Sequence, residues 1–185
     1  RVVGTRVGKV PGARDGHEAH RAFDQLHVDA HRTRGVEWFR DDDAVRARGK
    51  LRYDRGDLAG AEADFTECLR RNDLNVYALE ARGFARRDQG RLREAEADFD
   101  AALAIQPRYL RALVSRAKLR ASEGNAAAAA ADLEAALKAD PRCGPALVAR
   151  ATLRNTPGNF AAVLADLDAA VIGEPTLPEA WWLRG

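Results

Sequence analysis

The chain has 185 residues, with 30 basic and 28 acidic side chains and a formal net charge of +2. From position 42 onward, 22 basic side chains stand against 22 acidic ones; a nucleic-acid binder normally carries a net basic domain or stripe for phosphate neutralisation, so no nucleic-acid partner is expected. No uncharged stretch approaches the ~20 residues of a membrane-spanning helix, so no membrane partner is expected.

Residues 1–14 carry three Gly and one Pro without periodicity, the pattern of an extended tail. Asp15 followed by Glu18 forms a pattern like a capping box. Ala19, Ala22, Phe23, Leu26 and Ala30 then share one face at helical spacing, which predicts a helix from Gly16 to Thr33. That stretch holds all four histidines, His17, His20, His27 and His31. His20, His27 and His31 fall in a narrow stripe beside the apolar face, with Asp24 close to it. Imidazoles one turn apart can share a metal or sense pH. Against this stands a solvated helix flank, since a single helix offers few ligands in tetrahedral geometry; no metal and no cofactor are expected. Residues 1–41 read as an N-terminal extension, or as a degenerate repeat with an insertion around Val36 to Phe39.

From Asp42 the chain repeats. Gly56, Gly90, Gly124 and Gly158 stand 34 residues apart, and whole segments move with them. The blocks are 42–75, 76–109, 110–143 and 144–177, followed by the start of a fifth at 178–185. The third residue of each full block is Ala (Ala44, Ala78, Ala112, Ala146) and the eighth is Gly or Ala (Gly49, Gly83, Ala117, Ala151). The twenty-fourth is Phe65, Phe99, Leu133 or Leu167. Each block splits at its Gly into two amphipathic stretches, helix A and helix B, of about 13 residues. In the first block these run from Asp43 to Asp54 and from Leu58 to Arg70. The Gly suits a left-handed C-cap, and Pro107, Pro141 and Pro175 stop helix B. Cys68 and Cys143 have no CxxC spacing, and Cys68 takes a small-residue slot filled by Ala102, Ala136 and Ala170. Free thiols predict a reduced, cytoplasmic or other intracellular setting. Lacking Met and stopping within a repeat, the chain is expected to be a piece of a longer protein.

This pattern resembles the tetratricopeptide repeat: a 34-residue period, small residues at positions 8, 20 and 27, Phe or Leu at 24 and Pro at 32. Trp181 falls at position 4, where the family often has Trp. Departures are Asp73 for the Pro, Val163 for the small residue at position 20, and Arg at position 11 in place of Tyr. The resemblance covers residues 42–185. It implies an all-α, right-handed helix-hairpin solenoid, and a scaffold that binds a peptide or partner protein in a concave groove lined by the A helices.

Two charge patterns run through the repeats. Arg48, Arg82, Arg116 and Arg150 recur at position 7, joined one turn later by Arg52, Arg86, Arg120 and Arg154. Asp64, Asp98, Asp132 and Asp166 recur on helix B. Two cations near one carboxylate predict a structural ion-pair ladder, because an unpaired buried guanidinium is costly; an arginine comb for an anionic ligand is the competing reading. The family's groove positions hold Arg46, Lys50, Tyr53, Tyr77, Glu80, Phe84, Arg87, Arg111 and Lys118, a basic wall with three aromatics suited to an extended acidic peptide. The fourth block offers Val148, Thr152, Asn155 and Thr156 instead. Arg46, Lys50 and Arg111 stand at or near the positions with which some family members clamp a C-terminal carboxylate. Ala81 and Ser115 replace side chains that the clamp requires, so it is not expected here.

No GxSxG, HExxH or P-loop motif occurs, and no His lies within the repeats to activate Ser115 or Ser122; catalysis is not expected. Two alternatives to the peptide scaffold stand: a permanent structural subunit of a large assembly, and a metal-responsive module using the His stripe.

Overall fold

The computed structural model describes residues 43–184; the expected N-terminal tail, His-bearing helix and metal candidates His20, His27 and His31 lie outside them. The described residues form helices and no strand: α1 at 43–54, α2 Leu58–Arg71, α3 Val76–Asp88, α4 Leu92–Ile105, α5 Leu110–Ser122, α6 Ala126–Ala139, α7 Gly144–Arg154, α8 Phe160–Gly173 and α9 Pro178–Arg184. Within the unit starting at Val45, α3 packs on α4, α5 on α6 and α7 on α8. The odd-numbered helices also touch one another (α3 on α5, α5 on α7, α7 on α9), forming one layer of an all-α helix-hairpin solenoid.

The glycine turns follow from backbone hydrogen bonding. Gly56, Gly90 and Gly124 have φ of 81°, 78° and 81°, a region an L side chain enters at a cost. There the N–H of Gly90 donates to the Arg87 carbonyl and that of Arg91 to the Arg86 carbonyl, each at 2.9 Å. Two otherwise orphaned carbonyls are thereby satisfied in a Schellman closure. Equivalent bonds close α1 and α5. The fourth repeat departs from the expected length, since α7 has 11 residues where α3 and α5 have 13. Pro157 is the cause: it has no N–H to extend the ladder, and it disfavours helical backbone in the residue before it.

Packing between the two helices of a hairpin couples positions 8 and 24. A Cβ added to Gly83 would lie 2.7 Å from the Phe99 ring, and one added to Gly49 would lie 2.8 Å from the Phe65 ring. Where position 8 is Ala (Ala117, Ala151), position 24 is the smaller Leu (Leu133, Leu167). All four position-24 side chains are buried, Phe99 completely. The hairpins therefore use two matched pairs, Gly with Phe and Ala with Leu, filling the same space at close-packed density.

The Arg and Asp repeats meet across the same hairpins. Arg82 donates to Asp98 from Nε and from a terminal nitrogen at 2.7 Å, and Arg86 adds a bond of 2.9 Å to the other carboxylate oxygen. Asp64 is held likewise by Arg48 and Arg52, and Asp132 by Arg116 and Arg120. Asp166 has Arg150 at 2.6 Å, with Arg154 farther off at 3.7 Å. These guanidinium groups also reach back one repeat. Arg86 donates to Glu62 at 2.9 Å and Arg120 to Glu96 at 2.6 Å, while Arg116 donates to Asp100 at 2.6 Å. Burial alone would raise the Glu62 carboxyl, but hydrogen bonds from Arg86, Arg91 and Gln89 outweigh it and hold it below the usual carboxylate range.

Two outcomes are expected. Gly83→Ala should destabilise the array by about 1–2 kcal/mol, because overpacking against a fully buried ring exceeds the helix-propensity gain of about 1 kcal/mol. Adding Phe99→Leu should recover most of that loss, a non-additivity readable by urea melts of the two single variants and the double. Asp98→Ala leaves two part-buried guanidinium groups without their shared carboxylate and should cost about 3 kcal/mol. Asp98→Asn, which keeps the shape and an acceptor, should cost less in the same melts.

Candidate functional site

The nine groove residues expected from the sequence all line one cavity of about 680 Å³. α1 supplies Arg46, Lys50 and Tyr53; α3 supplies Tyr77, Glu80, Phe84 and Arg87; α5 supplies Arg111 and Lys118. Side chains three or four residues apart share a helix face, so α1, α3 and α5 each turn one stripe toward the hairpin and the opposite stripe toward this cavity. Leu110, Val114 and Ser115 of α5 and Ala81 of α3 complete much of the wall, with Cys143 and Pro145 at the far end.

Within this wall the charges are unequally committed. Lys50 donates to Asp54 at 2.6 Å. Arg87 pairs with Asp88 at 2.7 Å and lies over the Phe84 ring, 5.1 Å from its centroid. The Phe84 ring in turn meets Phe99 edge-on at 5.7 Å. Tyr53 donates its hydroxyl to Asp88; burial first, then the Asp88 carboxylate, pushes the phenol up. Lys118 is exposed and has no ion-pair partner among the described residues. Five cationic side chains and two carboxylates, Asp54 and Glu80, line the cavity. Its field favours an anionic occupant.

Glu80 behaves differently from an exposed wall residue. It is only 2% exposed and accepts a 2.6 Å hydrogen bond from the Tyr109 hydroxyl. Arg111 Nε stands 3.0 Å from its other oxygen, an ion-pair contact without an aligned hydrogen bond. Burial pushes the Glu80 carboxyl above the usual range, with Tyr109 and Arg111 opposing it. Burial and the neighbouring carboxylate together push the Tyr109 phenol up. Glu80 and Arg111 are therefore partly spent on each other. Tyr109, the last residue of its block, stands edge-on to Tyr77 at 5.8 Å. Sequence spacing did not single it out; its signal was a tyrosine just ahead of a groove-lining helix.

A second cavity of about 810 Å³ adjoins the first, with Lys118 lining both. Val148 and Thr152, groove positions of the fourth repeat, are on its wall, together with Leu133, Leu153, Trp182 and Leu183. Trp181, by contrast, points its indole N–H at the Pro175 carbonyl at 2.9 Å. Among the described residues no cluster of three or more His, Cys, Asp or Glu side chains could hold a metal. No described helix is long and apolar enough to cross a membrane.

The Glu80–Arg111 pair leads to a pH-dependent expectation. A carboxyl raised on folding contributes its full stability below the unfolded-state pKa and loses part of it as pH rises through the folded-state value. Arg111 limits that loss by stabilising the ionised form. Arg111→Ala should therefore cost about 1 kcal/mol near neutral pH, a figure discounted because the guanidinium is 65% exposed. The cost should shrink toward zero once acid protonates Glu80, as urea melts at neutral and acid pH will show.

Among known proteins, the family model described as tetratricopeptide repeat matches residues 110–143. No curated relative matches the chain. Solved structures do. The Arabidopsis OM64 TPR domain is 26% identical with a TM-score of 0.58, over 61% of this chain and 93% of that one. TTC0263, a TPR protein of Thermus thermophilus, aligns over 78% of this chain and 83% of its own with a TM-score of 0.66 and 20% identity. The second TPR domain of human RPAP3, solved in complex with the HSP70 peptide SGPTIEEVD, aligns over 64% of this chain and 99% of its own, with a TM-score of 0.59 and 20% identity. The repeated hairpins, the glycine-capped turns and these likenesses agree: residues 110–143 match the tetratricopeptide repeat, and the described residues share the fold of tetratricopeptide repeat proteins.

Proposed function

We propose that the repeat array, residues 42–185, is a non-catalytic protein-interaction module that holds an extended, acidic segment of a partner in the cavity between α1, α3 and α5. The observation that carries this reading is the lining: five cations against two carboxylates, with Tyr53, Tyr77 and Phe84 among them. Aromatic rings supply contact area at low entropic cost and cations select the sign of the ligand. The human RPAP3 domain, complexed with a peptide whose last four residues include two Glu and an Asp, is an instance of this fold receiving such a segment. The present wall differs in kind from a carboxylate clamp, since Ala81 and Ser115 carry no charge or amide there. Recognition is assigned to acidic side chains along the segment and not to a chain end.

The test uses a fluorescein-labelled peptide of alternating Glu and Ser, capped at both ends, with its Lys–Ser counterpart as control. The Glu peptide should bind, more weakly as ionic strength rises from about 0.05 to about 0.5 M. Lys50→Glu combined with Lys118→Glu should weaken it by about tenfold or more with only a small fall in Tm, since both side chains are exposed and the one pair lost is the surface contact of Lys50 with Asp54. Arg111 is left in place because Glu80 depends on it. Equal binding of the Lys peptide, or an unchanged affinity in the double variant, would overturn the assignment.

A further inference from the structure

We infer that the second cavity is an apolar anchor site for the same partner segment, so that the groove reads a bipartite sequence: acidic residues over α1, α3 and α5, and a large apolar side chain between α7 and α9. This deepens the proposed function and rests on it. The lining changes character at Lys118. On one side stand Arg46, Lys50 and Arg111; on the other, Val148, Leu153, Trp182 and Leu183, with Lys118 and Glu179 the only charged groups. Trp182 is 82% exposed, although its indole faces a recess of about 810 Å³, large enough for an aromatic or branched aliphatic side chain. A flat, exposed Trp rimming an apolar recess gains most when an apolar group covers it.

The occupant is identified by charge and continuity. Because Lys118 belongs to both cavities, an acidic segment seated in the first leads its chain directly past the mouth of the second. Since the two cavities share Lys118 as a wall, the anchor side chain falls within a few residues of the acidic stretch, an extended chain advancing ~3.3 Å per residue. The partner is therefore an acidic segment followed or preceded, within that spacing, by Leu, Ile, Phe or a similar side chain. Chain direction is set by which end carries the anchor.

The experiment compares the capped Glu–Ser peptide with two extended forms, carrying a Gly-Ser spacer and a Leu-Phe pair at one end or the other. One extended form should bind about tenfold tighter than the parent and change the Trp emission on binding. Trp182→Ala and Leu183→Ala should each remove that gain while leaving the parent peptide's affinity unchanged, since both residues line the second cavity, neither lines the first, and neither change alters the charge. If the parent binds and neither extension adds affinity, the anchor site is refuted and the acidic groove stands. If the parent itself does not bind, the groove reading fails and the anchor with it. Sedimentation adds a third outcome: a self-associated chain that Trp182→Ala makes monomeric assigns the recess to a second copy and overturns the inference.

Discussion

Each hairpin is locked by a carboxylate on its second helix lying between two guanidinium groups on its first. A buried charge pair is no automatic source of stability, since desolvation offsets much of the attraction. What it fixes is geometry. A bidentate contact such as Arg82 with Asp98 tolerates little sliding of α3 on α4, and the reach of Arg86 to Glu62 ties that hairpin to the one before. The weaker tie of Arg154 coincides with Ala130, where the preceding repeats have Glu62 and Glu96. The ladder is tight in the first three repeats and loosens in the fourth, where Pro157 also shortens α7.

With positions 7 and 11 committed to this frame, the opposite stripe of α1, α3 and α5 is released from structural duty. The same geometry that turns Arg82 toward Asp98 turns Phe84 and Arg87 toward the cavity. Rigid first helices thus present an inner wall whose chemistry can vary without disturbing the hairpins. The change from a cationic wall to an apolar one across Lys118 is variation of this kind.

Much of the architecture was legible before any coordinates. The 34-residue period, the glycine at each turn and the small residues facing Phe or Leu are local or near-local constraints, written wherever the backbone or a close approach allows few side chains. The expected groove residues also converge on one cavity, because helical periodicity alone puts them on one stripe. Helix length in the fourth repeat departs from the expected length of about 13 residues, because Pro157 beside Gly158 removes a donor and bends the preceding residue out of the helix.

The sequence by itself determined the repeat, its turns and which face of each helix is occupied by its hairpin partner, because those depend on spacing within one block. Only the tertiary structure decided which charges remain available. Glu80 meets Tyr109 and Arg111 from farther along the chain, Arg86 reaches back to Glu62, and Trp182 comes round to share a recess with Val148. Those contacts join residues more than twenty positions apart, where the reach and burial of each side chain determine what it touches.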